Sequence, residues 1–444
     1  MENKLTEGSV IKNMLRFSLP YLLACFLQTF YGLADLFITG QFNGADAITA
    51  VSVGSQVTHM LTVIIVGLAM GATVTISRAV GARDRRGAEQ TIGSTITIFA
   101  VFALGATVIL VLSVNGILSL LSTPAEAFAQ ARSYLLICFA GVPFITAYNV
   151  ISSIFRGLGD SKSPMYFVAA AGVINVALDY LFIGPLSLGA AGAALATVIA
   201  QGCSVLLALL WLRKKDMGVS LRRQDLRPTK NRLSVILRIG FPIAVQDGFV
   251  QIAFLVITAI ANGRGVDVAA AVGIVEKIIG FLFLVPSAML STVSAMAAQN
   301  AGAGLHQRGR QTLGYGIAIT VAVGLIFSAI CQVWAEPIIA LFAKDSPAVV
   351  VMGGQYLRSY VFDCAFAGIH FCFSGYFCAY EKSILSFLHN LASIVLVRIP
   401  GAYLASVFYP DTLYPMGLAA PAGSLFSALI CLGMYLYLRK KKVF

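Results

Sequence analysis

The stretch RKKDMGVSLRRQDLRPTKNR, residues 213–232, decides the architecture, because it is the one long polar run in the chain. On both sides of it the sequence is apolar in runs of about 20 residues or more, the length an α-helix needs to cross a bilayer. Of 444 residues, 58% are hydrophobic and 11% charged, against about 45–50% apolar and about 25% charged in an ordinary soluble domain. Mean hydropathy is +0.86. Helices of this composition are apolar all round and have lipid for their solvent, which excludes a soluble enzyme or a soluble binding domain.

Working outward from residue 213, the apolar runs predict twelve spans, at 15–40, 47–78, 90–120, 128–155, 164–185, 189–212, 234–262, 268–300, 312–336, 348–378, 384–408 and 417–438. The fold class is an all-α integral membrane protein of 12 transmembrane helices. The polar stretch then makes a cytoplasmic basic linker at 213–233, between an N-lobe of six spans, 1–212, and a C-lobe of six, 234–444. The net charge of +12 does not indicate nucleic acid, since the Lys and Arg sit in short loops between apolar runs. Placing the N-terminus inside puts Lys4, Lys12, Arg16, Arg78, Arg83, Arg85, Arg86, Arg156, Lys162, the basic residues from Arg213 to Arg238, Arg308, Arg310, Lys382 and Arg439 to Lys442 on the cytoplasmic side. The outside loops keep only Arg132, Arg264 and Lys344, while Lys277, Arg358 and Arg398 fall within spans. Both termini are therefore expected in the cytoplasm, and the short termini and loop asymmetry point to a multi-pass protein of the bacterial inner membrane. The opening residues MENKLTEGSVIKNML lack the pattern of a signal peptide and read as a cytoplasmic tail.

An internal repeat follows when the chain is set against itself at an offset of 221 or 222 residues. Leu15-Arg16-Phe17-Ser18-Leu19-Pro20 meets Leu237-Arg238-Ile239-Gly240-Phe241-Pro242; Gly44-Ala45-Asp46 meets Gly265-Val266-Asp267; Gly81-Ala82 meets Gly302-Ala303; Asp160 meets Glu381. Because each half has an even number of spans, the repeats run parallel about an axis along the membrane normal, and the substrate path is expected between them. Pro20 and Pro242 kink the first span of each half; Pro20 is a candidate hinge.

Ionisable groups at membrane depth are costly and mark function. Five acids qualify: Asp35, Asp179, Asp247, Glu276 and Asp363. Asn175 and Asp179 stand four residues apart and share one helix face. If that face meets Asp35, two carboxylates and an amide oxygen form a hard-oxygen site suited to Na+. The same pair, short of water, would share a proton and make the site a proton carrier; the sequence leaves both ions open. Glu276, Asp363 and Asp247 are secondary candidates. Glu276 adjoins Lys277, Asp363 lies near Arg358, Arg398 can pair with any of them, and Asp247 is suited to an aqueous vestibule. His370 and His389 read as hydrogen-bonded structural residues. The eight cysteines, Cys25, Cys138, Cys203, Cys331, Cys364, Cys372, Cys378 and Cys431, lie in or beside apolar runs without metal-ligand spacing and read as small core residues. No convergent His/Cys/Ser set argues for an enzyme, and no cofactor is expected beyond a coupling ion.

These residues resemble the multidrug and toxic compound extrusion (MATE) family over essentially the whole chain. The resemblance is carried by Pro20 followed by Asp35 in LADLFITGQFNGADAITA, by SRAVGARDRRGAEQ, by FRGLGDSKSP at 155–164, by INVALDYLFIG and by QNAGAG at 299–304. It implies two six-helix lobes forming a V, and export of organic cations or other amphipathic compounds in exchange for inward Na+ or H+. It further implies an N-lobe cation site of Asp35, Asn175, Asp179 and Thr197 with Tyr134 nearby, a bending helix at Pro20, and a monomer in the lipid bilayer. Members with a second acidic site carry a glutamate and an aspartate in the C-lobe, where this chain has Gln251 and Ala367, with Asp363 one turn before the latter. Coupling through the N-lobe is therefore favoured. The alternatives are a lipid-linked oligosaccharide flippase of the same superfamily, which would need a strongly cationic cavity, and a major facilitator, whose basic loop GARDRRG matches imperfectly.

Overall fold

The computed structural model describes residues 5–214, 218–344 and 346–441. Lys4, Lys215 and Lys442, among the basic residues assigned to the cytoplasm, lie outside them. The chain is helical nearly throughout: α1 (Val10–Phe42), α2 (Ala45–Gly81), α3 (Arg85–Leu120), α4 (Ala125–Ala140), α5 (Val142–Gly157), α6 (Lys162–Ile183) and α7 (Gly189–Lys214) come first. A 3-10 turn, Arg223–Leu226, interrupts the polar stretch. Then follow α8 (Lys230–Asn262), α9 (Val266–Leu282), α10 (Leu284–Gly302), α11 (His306–Ala340), α12 (Pro347–Tyr360), α13 (Asp363–Ala379), α14 (Ser383–Ser393), α15 (Ile399–Phe408) and α16 (Tyr414–Lys440). Eleven of the described segments are long and apolar enough to cross a membrane, and twelve when α4 and α5, bent by 48°, count as one span.

Several spans read as continuous from the sequence are broken. The run at 128–155 divides at Gly141, with Pro143 in the first turn of α5. The run at 268–300 divides at Phe283, and that at 348–378 at Val361–Phe362. Hydropathy cannot register such breaks, because it is averaged over a window the length of a span. Two others have a proline cause: α11 leaves helical geometry at Trp334, ahead of Pro337, and the span at 384–408 carries a π turn, Ile394–Arg398, just before Pro400. Inside the helices, threonine hydroxyls donate to the carbonyl four residues back, as Thr58 does to Gly54 and Thr91 to Gly87. That satisfies the hydroxyl where water is scarce.

The helices form two compact units. Unit one is Leu19–Gly240, and unit two is Leu5–Ser18 together with the chain from Phe241 on. The first turns of α1 thus belong to unit two, and the first turns of α8 to unit one; each exchange ends just before a proline, Pro20 or Pro242. Within unit one the backbones of α2 and α8 nearly touch, since a Cβ at Gly71 would strike the Ile236 carbonyl and one at Gly240 the Leu68 carbonyl. Within unit two, Met14 is fully buried and packs on Gly316 of α11.

The duplication is also written in the backbone. In unit one α2 ends with Arg83 at φ 56°, and the Asp84 N–H donates to the Ala79 carbonyl at 2.9 Å. In unit two α10 ends with Gly304 at φ 72°, and the Leu305 N–H donates to the Asn300 carbonyl at 2.8 Å. The ends of α5 and α13 repeat this left-handed cap, with Gly159 at φ 89° and Glu381 at φ 59°. The second pair corrects the sequence register: Glu381 matches Gly159, and Asp160 matches Lys382, whose N–H groups donate to Phe155 and Phe377 respectively. The equivalent position is defined by the helix cap, not by the shared acid.

Candidate functional site

In unit one the site is assembled from α1, α4, α6 and α7. Asp35 lies in the last third of α1 and is 4% exposed; Asp179, on α6, is fully buried. One turn before Asp179, Asn175 presents its amide from the same face, as the i, i+4 spacing requires. The Asp35 carboxylate faces Asp179, Thr197 and Asn175, and its Oδ2 accepts a hydrogen bond from Thr197 Oγ1 at 3.1 Å. Thr39 Oγ1 donates to the Asp35 backbone carbonyl at 2.7 Å, which ties the next turn of α1 to the site. Tyr134, buried on α4 with its ring against Gly54, belongs to the same apolar cluster as Ile38 of α1 and Ile183 of α6. All five residues named for this site from the sequence therefore fall in one neighbourhood.

Two further members were not read from the sequence. Tyr31 lies one turn before Asp35, and its hydroxyl accepts from Gln201 Nε2 at 3.3 Å. Gln201 lies one turn after Thr197. Their signal was the helical period itself, since each sits four residues from a site residue on the same helix.

The oxygens decide what the site can hold. Among the described residues, Asp35 Oδ1, both Asp179 carboxylate oxygens and Asn175 Oδ1 are buried and lack a hydrogen bond of good geometry. Buried carboxylate oxygens without donors are costly. A small hard cation placed among them, or a proton shared between the two carboxyl groups, would meet that demand. The donor set therefore fits either Na+ or H+ as a transported ion.

Unit two is arranged otherwise. Asp363 opens α13 and is fully buried, but Arg398, delivered by the π turn, donates to its Oδ2 at 2.7 Å. The same guanidinium reaches the Tyr360 hydroxyl at 3.3 Å and lies over the Phe254 ring. Arg358, the nearer cation in sequence, pairs with Glu336 at 3.1 Å instead. Glu276 accepts from Thr258 at 3.2 Å through Oε2. Asp247 and Gln251 are half-buried on α8. His370 is hydrogen-bonded to Ser424, and His389 lies between Ser374 at 2.9 Å and Ser427 at 2.6 Å.

The described helices thus make a polytopic membrane protein with a carboxylate pair enclosed in unit one. The MatE family model matches residues 20–181 and 242–404, once in each half. The chain belongs to the MatE family and is a transporter, not an enzyme. The probable multidrug resistance protein YpnP of Bacillus subtilis (strain 168) is 30% identical over 437 residues, covering 98% of this chain and 97% of that protein. The multidrug export protein MepA of Staphylococcus saprophyticus is 25% identical over 379 residues, covering 83% of this chain and 81% of its own length. Among solved structures, a MATE transporter in complex with MaL6 superposes with a TM-score of 0.93 at 21% identity, covering 99% of this chain and 98% of that one.

Proposed function

We propose that this transporter exports organic cations, drugs and other amphipathic compounds by alternating access, in exchange for an inward-moving Na+ or H+ bound at Asp35 and Asp179. The observation that carries the reading is the enclosed carboxylate pair with its unpartnered oxygens. The names of YpnP and MepA support drugs as the exported class. Asn175 and Thr197 complete the ion's oxygen shell, Tyr134 closes it, and Pro20 is the hinge of α1. In unit two, Arg398 already neutralises Asp363, so coupling is assigned to unit one, with Asp363, Glu276, Asp247 and Gln251 as secondary candidates.

Exchange requires ion and drug to prefer opposite states, because a ligand shifts an equilibrium only by its differential affinity. The ion binds in the outward-open state as drug leaves; neutralising the carboxylate pair favours the inward-open state, which releases the ion and takes up drug. The protein acts as a monomer in the bacterial cytoplasmic membrane, with both termini and the linker at 213–233 inside.

The test is efflux of a fluorescent organic cation from proteoliposomes under separately imposed sodium and proton gradients. Wild type is expected to move the dye under one gradient, and Asp35→Asn and Asp179→Asn to lose at least about 90% of that flux while eluting as folded protein, as loss of an essential ion ligand requires. Normal gradient-driven export by both variants would overturn the assignment.

A further inference from the structure

Unit one contains a groove of about 880 Å³ between α3, α5, α7 and residues 219–221 of the polar stretch. Asp35 and Asp179 do not line it. Its lining is almost wholly apolar, and among the described residues the only charged ones in it are Arg213 and Lys214, both exposed in the last turn of α7. The groove is thus an apolar trough with two cations at one end.

Its length has a natural measure. On α3 the lining runs from Ile92 to Leu104, twelve residues at 1.5 Å each, or about 18 Å. Half of a bilayer's hydrocarbon core is about 15 Å. From the cationic end, which adjoins the basic polar stretch, the trough therefore reaches close to the bilayer midplane. Leu104 and Leu209 are 63% and 48% exposed, so the trough opens sideways. At its inner part the Thr146 hydroxyl, on a residue 2% exposed, is buried without a partner among the described residues.

The cationic end is also held in place. Val219 and Leu221 line the groove on either side of Ser220. Ser220 donates to Glu89 on α3 from its backbone N–H at 2.9 Å and from its hydroxyl at 3.2 Å. Further along, Arg86 pairs with the buried Asp225 at 2.8 Å. Residues 219–221 are thereby fastened over the groove.

We propose that this groove is a binding site for one anionic phospholipid, whose acyl chain fills the trough and whose phosphate meets Arg213 and Lys214. One leaflet's depth, apolar walls, a lateral opening and paired cations at headgroup level together specify that chemistry. They disfavour a cationic drug, which would meet like charge at the mouth. The bound lipid bridges α3, α5, α7 and the polar stretch, and so stabilises unit one; this does not depend on what the protein exports.

The test uses delipidated full-length protein in detergent, with native mass spectrometry and thermal unfolding as readouts. The probes are dioleoyl phosphatidylglycerol, dioleoyl phosphatidylcholine, a cationic dioleoyl lipid, and glycerol 3-phosphate as headgroup alone. Phosphatidylglycerol is expected to bind about tenfold or more tightly than the other lipids, given two cations at the membrane surface, and to raise the melting temperature. Glycerol 3-phosphate is expected not to bind. Arg213→Ala/Lys214→Ala should lower phosphatidylglycerol binding to the level of phosphatidylcholine, and Ala100→Trp, which fills the trough from its exposed edge, should weaken both lipids. A preference for phosphatidylglycerol that survives both variants overturns the proposal. So does an Arg213→Ala/Lys214→Ala protein whose melting temperature falls equally with and without lipid, since the two cations would then serve only the negative end of the α7 dipole.

Discussion

At the scale of single residues, the two halves treat a buried carboxylate in opposite ways. Asp363 has a cation at 2.7 Å, whereas Asp35 has a threonine hydroxyl and a second acid. Losing one member of a buried ion pair strands the other. Arg398→Ala is therefore expected to destabilise the protein by about 3 kcal/mol, and Asp363→Asn/Arg398→Met to recover most of that in the same thermal-unfolding assay. Thr197→Val should weaken the coupling ion about tenfold or more, the equivalent of roughly 1.5 kcal/mol, the lower end for one hydrogen bond to a charged group; the half-saturating ion concentration for dye efflux measures it. The acids and Asn175 were legible because an ionisable group in an apolar run is conspicuous, and because a spacing of four fixes a shared face. Thr197 and Tyr134 entered only by family resemblance. Tyr31 and Gln201 escaped because an aromatic or amide side chain in a span carries no such contrast, although the helical period places both beside the site.

At the scale of elements, the long helices were readable and their interruptions were not. Hydropathy averages over a turn or more, so the breaks at Gly141 and Phe283 leave it unchanged, while the π turn needs three-dimensional accommodation of Pro400. Close helix crossings are equally silent in a window average. The approach of α2 to α8 depends on two glycines facing main-chain carbonyls. Gly71→Ala or Gly240→Ala forces a Cβ into backbone that cannot rotate away, and is expected to cost about 3 kcal/mol, the upper end of overpacking effects. Gly105→Ala, in the open on α3, is the control, expected to be neutral or to stabilise by up to about 1 kcal/mol. Fluorescence-detected gel filtration after a heating series distinguishes the two.

At the scale of the whole molecule, the duplication was legible from self-comparison, and the family model matches twice, at 20–181 and 242–404, on either side of the polar stretch. The orientation read from the Lys and Arg distribution makes a direct prediction. Leu186→Cys, between α6 and α7, is expected to react with an impermeant maleimide added outside cells, and Ala82→Cys, after α2, only once the membrane is opened. Native cysteines are buried or half-buried and set a low background. What self-comparison could not reveal is that the repeat boundary and the boundary of packing differ: the repeat runs through Pro20 and Pro242, while packing changes hands just ahead of each. That exchange has a consequence in time. The ribosome adds about 5–20 residues per second, so Met14 leaves it some 15–60 s before Gly316, its partner in unit two, exists. The segment around Met14 must therefore wait for a partner made some 300 residues later, and until then Met14 and Phe17 must be sheltered by lipid or by the insertion machinery.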